Sequence, residues 1–207
     1  MWCGNMDYSM AFKKFFGISP ENISENVIVT NIMPIYKGII TYSTIKGNYN
    51  IGFYENVEIQ IGINKRYQII KITSGNAVID VIKLLTMYVK KILFVGIAGC
   101  LDSGYKLGDV CLISRSSSFF DRVRLNPNTI FQTDGLIQSQ EFYLNLKKQG
   151  IKFVDMECYD VFELCKNNFV QLDYIVQISD FPLETPFYEA VPQPINIKEI
   201  MSLIGDD

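Results

Sequence analysis

The chain has 207 residues, 48% hydrophobic and 20% charged, with a formal net charge of -3 and no histidine. That length is enough to bury one core, and an acidic balance argues against sequence-independent nucleic-acid binding, which needs a basic face. No apolar run reaches the roughly 20 residues that cross a bilayer, and the N-terminus lacks the basic-then-apolar pattern of a secretory leader, so the expectation is a cytoplasmic protein with no membrane partner.

Without histidine, the usual general base, the Ser–His and Cys–His nucleophile pairs and the commonest zinc ligand are missing. Five cysteines (Cys3, Cys100, Cys111, Cys158, Cys165) at irregular spacing form neither a metal-ligand pattern nor a disulfide framework. Chemistry in this chain has to run on carboxylates, hydroxyls and backbone groups. No metal site and no cofactor are expected.

Residues 1–26 read as an N-terminal extension holding a short helix. Its aromatic residues (Trp2, Tyr8, Phe12, Phe15, Phe16) are expected to pack on the domain or on a partner subunit. Val27–Thr30 reads as the first strand. Four strand-like stretches follow, Ile39–Thr44, Asn50–Tyr54, Glu58–Ile63 and Gln68–Thr73, separated or interrupted by glycines. Ser74-Gly75-Asn76 opens a helix predicted over 77–88, with Val78, Val81, Ile82 and Leu85 at helical spacing. A buried strand over 91–97 follows directly, and this β–α–β rhythm points to an α/β class.

The strand ends in a small-residue crossing, Gly96-Ile97-Ala98-Gly99, where the backbone can approach a ligand closely. Val110–Ile113 reads as another buried strand, and Phe119–Leu125 and Ile130–Ile137 as further strands around a turn at Asn126-Pro127-Asn128. Glu141–Gln149 is helical by pattern and ends at Gly150, a candidate cap. Phe153-Val154 leads into a helix over 155–168. Tyr174–Ile178 is a buried strand, a proline-rich loop spans 181–194, and a last helix covers 195–203. No repeat or linker divides the chain, so 1–207 reads as a single domain.

Three features carry candidate chemistry. They are the Gly96–Gly99 crossing, the Val154-Asp155-Met156-Glu157 strand end and the Ile178-Ser179-Asp180 strand end. Open α/β sheets place ligands at the C-terminal ends of their strands. Taken singly, a glycine crossing is more often a packing device, and an aspartate after a strand more often a cap or turn residue.

Their order and company matter more. Over Ser74–Ser114 (SGNAVIDVIKLL, VKKILFVGIAG, KLGDVCLI), Phe131–Asp134, VDMEC and ISD, the chain resembles the purine/uridine nucleoside phosphorylase and methylthioadenosine/adenosylhomocysteine nucleosidase superfamily, over roughly two-thirds of its length. The resemblance implies a central mixed, twisted and partly barrel-like sheet flanked by helices, and a homo-oligomer of the dimer or hexamer-of-dimers type. It implies a small-molecule nucleoside as ligand, and cleavage of the N-glycosidic bond of a purine-type nucleoside or derivative. Glu157 then takes the ribose hydroxyls and Met156 floors the sugar. Phe153 stands beside the base, and Gly96, Ala98 and Gly99 form the backbone wall. Asp180, oriented by Ser179, donates to N7 of the leaving base.

The departures concern the acceptor. Val27–Tyr36 shows no Gly-Asp-Pro-x-Arg phosphate loop, and Phe94 and Ile97 stand where phosphorylases carry an arginine and a serine. Hydrolysis is therefore favoured over phosphorolysis, with phosphate a co-substrate only if Arg115, Arg122 or Arg124, or a residue of another subunit, rebuilds an anion site. Yet Val27–Gly38 also lacks the early glutamate with which nucleosidases activate water. This keeps a third reading open, a non-catalytic nucleoside-binding protein. Leu136 stands where the family stacks an aromatic on the base, a place that Phe119, Phe120 or Phe131 could fill instead.

Overall fold

The computed structural model describes residues 8–47, 49–62, 65–73, 77–114 and 130–205. Helix α1 (Tyr8–Phe16) leads through a short 3-10 turn into strand β1 (Asn26–Thr30), which is buried from Val27 onward. Within this strand Val27 and Val29 join one hydrophobic cluster and Ile28 the other. Successive side chains of a strand point to opposite faces, so an unbroken apolar run here means a sheet covered on both sides.

The stretch expected to begin a β-rich region is instead helix α2 (Met33–Tyr42). Its β-branched residues favour a strand by local preference, but Ile35, Tyr36 and Ile39 are buried together along one helical face, and Pro34 suits the first turn. Burial outweighs propensity. Gly38 lets α2 approach the last helix, α6 (Ile197–Gly205), since a Cβ at Gly38 would lie 2.2 Å from Ile197 Cδ1.

The expected strands after α2 shorten or shift to β2 (Thr44–Ile45), β3 (Asn50–Ile51), β4 (Glu55–Ile61) and β5 (Lys65–Lys71). Helix α3 (Ala77–Leu85) precedes the long strand β6 (Lys91–Cys100), and β7 (Val110–Ser114) follows. The strand expected over 130–137 is only β8 (Ile130–Gln132). Helix α4 (Gln140–Lys148) begins at Ser139, whose hydroxyl accepts from Phe142 N. It ends at Gly150 with φ +83°, where Gly150 N and Ile151 N donate to Lys147 O and Leu146 O. This left-handed close needs a residue without a Cβ penalty. Strand β9 (Phe153–Asp155), helix α5 (Cys158–Asn167) and strand β10 (Gln171–Asp180) complete the order before α6. Thus Asp155 ends a strand, and the helix expected from 155 starts three residues later. The expected strand over 119–125 lies outside the described residues. No helix among the described residues is long and apolar enough to cross a membrane.

The mixed sheet runs β2-β4-β5-β1-β6-β10-β7. Strands β5, β1, β6 and β10 are parallel neighbours, while β4 and β7 are antiparallel to theirs. Helices α1, α3 and α5 contribute to the cluster on one face and α2 and α6 to the other. The sheet branches at β6. Strand β10 pairs along one edge from Lys91 to Gly99. The other edge takes β1 over Lys91–Phe94 and then β9 at Gly99 and Cys100, leaving Val95–Ala98 between two partners.

Helix α1 docks on the core through one face. Phe12 and Phe16 are fully buried, and Phe12 meets Tyr88 edge-on at 4.9 Å. Trp2 lies outside the described residues. Phe12→Ala should therefore lower unfolding free energy by about 3–5 kcal/mol in urea titrations. A change within error would mean that α1 does not contribute to the folded core.

Candidate active site

Where β6 passes from β1 to β9, the sheet opens into a cavity of about 400 Å³. Phe94, Gly96, Ile97, Ala98 and Gly99 of β6 line it, with Val154–Glu157 at the turn between β9 and α5, and Ser179 and Asp180 at the end of β10. Asn31 and Ile32 enter from the end of β1, Leu136 from the loop after β8, and Phe187, Ala190 and Pro192 from the proline-rich loop. All three features singled out in the sequence meet here. Apart from Phe94, the lining residues of the strands lie toward their C-terminal ends, where open parallel sheets place ligands.

The glycine crossing has two roles. A Cβ on Gly99 would stand 2.8 Å from Pro182 Cγ and 3.1 Å from Val154 Cγ2, so this glycine permits close packing of β9 and the loop after β10. Gly96 leaves the cavity wall bare, and a Cβ there would press on Phe94 at 3.2 Å. Between them Ile97, also a lining residue, is 40% exposed although its strand neighbours on both sides are buried.

At the end of β10 the pairing with β6 slips between Ile178 and Asp180, so Ser179 is an extra residue in the ladder. Such a bulge re-aims side chains beside a site. The Ser179 hydroxyl lies 2.6 Å from Asp180 Oδ1 and 3.2 Å from Ala98 O. It has one proton, so it donates to Asp180 when the carboxylate is ionised and can turn to Ala98 O when Asp180 holds a proton. Asp180 is 6% exposed, and burial raises its carboxyl above the ordinary 3.8, opposed by the Ser179 hydroxyl and a backbone hydrogen bond from Phe187.

A second carboxylate, Glu157, is half-buried beside Met156, and Asn31 Nδ2 donates to its Oε1 at 3.4 Å. Asp155 also borders the cavity but is committed to the local structure. Its Oδ1 accepts from Glu157 N at 3.3 Å and Cys158 N at 3.1 Å, and its Oδ2 accepts from Tyr174 OH. Burial raises its carboxyl too, with these donors opposing.

The structure leaves Phe153 out of the cavity. It is 2% exposed and packs edge-on against Tyr105 at 5.1 Å, because alternate residues of a strand face opposite ways and Val154 takes the cavity side. Phe187 is the aromatic ring that lines the cavity in addition to Phe94. Arg115, Arg122 and Arg124, with Phe119 and Phe120, lie outside the described residues, and none of the described residues lining the cavity is lysine or arginine. Asn31 and Phe187 were not singled out from sequence. Asn31 carried one usable signal, its place immediately after a buried strand; Phe187, in an aperiodic loop, carried none.

No protein-family model matches the chain, and no curated protein does. Solved structures do match. The chain superposes on the AMP nucleosidase of Bacteroides thetaiotaomicron with a TM-score of 0.68 and 16% identity, over 95% of this chain and 93% of that one. The P. knowlesi homologue of P. falciparum PNP gives 0.68 and 16% over 93% and 91%, and the futalosine hydrolase of Helicobacter pylori gives 0.67 and 17% over 88% and 97%. The chain thus has the nucleoside phosphorylase fold, as its sequence motifs implied.

The raised carboxyl of Asp180 has a consequence for stability. Below the ordinary value near 3.8, Asp180 is protonated in folded and unfolded chains alike. As pH rises through the higher folded value, the ionised group favours the unfolded chain. Asp180→Asn removes that penalty and should raise Tm by about 2–4 °C at pH 7, with the gain vanishing at acid pH. A constant or negative shift across a pH series of thermal melts would show that burial does not disfavour the ionised form.

Proposed function

We propose that the chain binds a purine-type nucleoside or derivative in this cavity and cleaves its N-glycosidic bond, with water favoured over phosphate as acceptor. One observation carries the reading: an otherwise mostly apolar cavity is bordered by a half-buried glutamate and by a buried, hydrogen-bonded Ser–Asp pair whose carboxyl is raised by burial.

The two groups suit the two halves of a nucleoside. Glu157 as a carboxylate can accept from both hydroxyls of a vicinal diol, and its charge stabilises the oxocarbenium-like cation that forms on the sugar. Met156 supplies an adaptable apolar floor. Asp180, protonated, donates to N7 of the base. The C1′–N9 bond breaks, its electron pair passes into the base, and the proton from Asp180 neutralises the charge that develops there. Water adds to C1′ and gives up a proton, so the balance is nucleoside plus water to free base plus ribose. Ile97 supports water over phosphate, since an apolar branched side chain offers an anion no hydrogen bond. Exposed Ile137, Tyr188 and Val191, next to lining residues, support a homo-oligomer in which another copy covers the cavity mouth.

A second reading, binding without turnover, is favoured by Asn31. It stands at the end of β1 beside Glu157, and an amide cannot serve there as a base for water.

Base release from adenosine, inosine, guanosine, uridine and methylthioadenosine, with and without phosphate, separates these readings. Release from a purine nucleoside without phosphate is expected, with Asp180→Asn lowering it at least about 100-fold in a folded protein. Release only with phosphate would overturn the choice of water. Binding without release would establish the second reading, and neither binding nor release would overturn both.

A further inference from the structure

The turn that presents Met156 and Glu157 is fastened from two sides. A helix start leaves four N–H groups without intrahelical partners. In α5 these belong to Glu157, Cys158, Tyr159 and Asp160. Asp155 Oδ1 accepts from the first two, and Gln132 Oε1 accepts from Tyr159 N at 2.9 Å and Asp160 N at 3.0 Å. All four are satisfied within the protein, so the helix start offers no donor to a bound anion.

Asp155 carries the connection inward. Its Oδ2 accepts from Tyr174 OH. Three donors, Glu157 N, Cys158 N and Tyr174 OH, hold its two oxygens and commit it to the local structure rather than to substrate. Tyr174 is fully buried in β10, directly across from Phe94 of β6 in the ladder, and stacks on that ring at 4.9 Å and 13°. Phe94 itself lines the cavity. The phenol therefore has a fixed ring and one buried polar contact. A phenylalanine would fill the same space without burying a hydroxyl, so the hydroxyl calls for an account beyond packing.

We propose that Tyr174 is a positioning residue for sugar recognition: its hydroxyl fixes Asp155, whose other oxygen holds the Glu157 N–H and so sets the direction in which the Glu157 carboxylate meets the sugar. This rests on the reading of Glu157 as the diol ligand. Tyr174 acts through the turn and touches no ligand.

Tyr174→Phe keeps the stacked ring and removes only the hydroxyl. The test measures Kd, or kcat/KM where base is released, for adenosine, inosine and guanosine against their 2′-deoxy counterparts, and Kd for adenine and hypoxanthine. Tyr174→Phe should lower the ribo-over-deoxy preference about five- to tenfold while leaving affinity for the free bases unchanged. Glu157→Ala should abolish the preference. If Glu157→Ala abolishes it and Tyr174→Phe lowers only Tm, or weakens all ligands equally, the positioning role is overturned. If Glu157→Ala leaves the preference intact, the underlying reading of Glu157 falls instead. Should Tyr174→Phe fail to fold, Asp155→Ser keeps a cap for the helix start but no longer reaches Tyr174. It should lower the preference by a similar factor, and an unchanged ratio there would equally overturn the proposal.

Discussion

Strand β6 needs a hydrogen-bonding neighbour on both edges, and on one edge no single strand supplies it. Strand β1 pairs as far as Phe94, β9 takes over at Gly99, and β10 holds the opposite edge throughout. The Val95–Ala98 interval between the two partners is where the cavity opens. The rest follows from that change of partner. The end of β1 brings Asn31, the turn after β9 brings Met156 and Glu157, and the bulged end of β10 brings Ser179 and Asp180. An unbranched sheet would have closed the gap with backbone hydrogen bonds and left these side chains apart.

The site then depends on the contrast between its two carboxyl groups. Asp180 is buried with one hydroxyl and one backbone donor, too few to offset its loss of water, and its carboxyl is raised above the ordinary value. Glu157 is less buried, with an amide donor at its side. Asp155 lies one residue before Met156 and is buried as well, yet its donors tie it to Tyr174 and the start of α5. Position along the chain would rank Asp155 and Glu157 alike. Hydrogen-bond accounting sets Asp155 apart as a structural carboxylate.

Much of this was legible from the sequence where burial and local pattern agree. The strands at Val27–Thr30, 91–97 and Tyr174–Ile178 follow from apolar runs and the Gly150 cap from a glycine after a helical pattern, whereas the meeting of Gly96–Gly99, Met156-Glu157 and Ser179-Asp180 is what the family resemblance implied. Helix α2 was misread because Ile39, Ile40 and Thr41 favour strand locally, while packing of Ile35, Tyr36 and Ile39 against the sheet decides for helix. Phe153, expected beside the base, is buried against Tyr105 and does not line the cavity, because the pairing of β9 with β6 turns Val154 to that side. Phe187 reaches the cavity through tertiary placement alone, and only its place after a buried strand marks Asn31.

The most direct test is a crystal structure of the protein soaked with adenosine or inosine. The expected result is a nucleoside in the branch-point cavity, its ribose hydroxyls on Glu157 over Met156 and its N7 within hydrogen-bond reach of Asp180. A nucleoside seated elsewhere, or reversed so that the sugar meets Asp180, would contradict it.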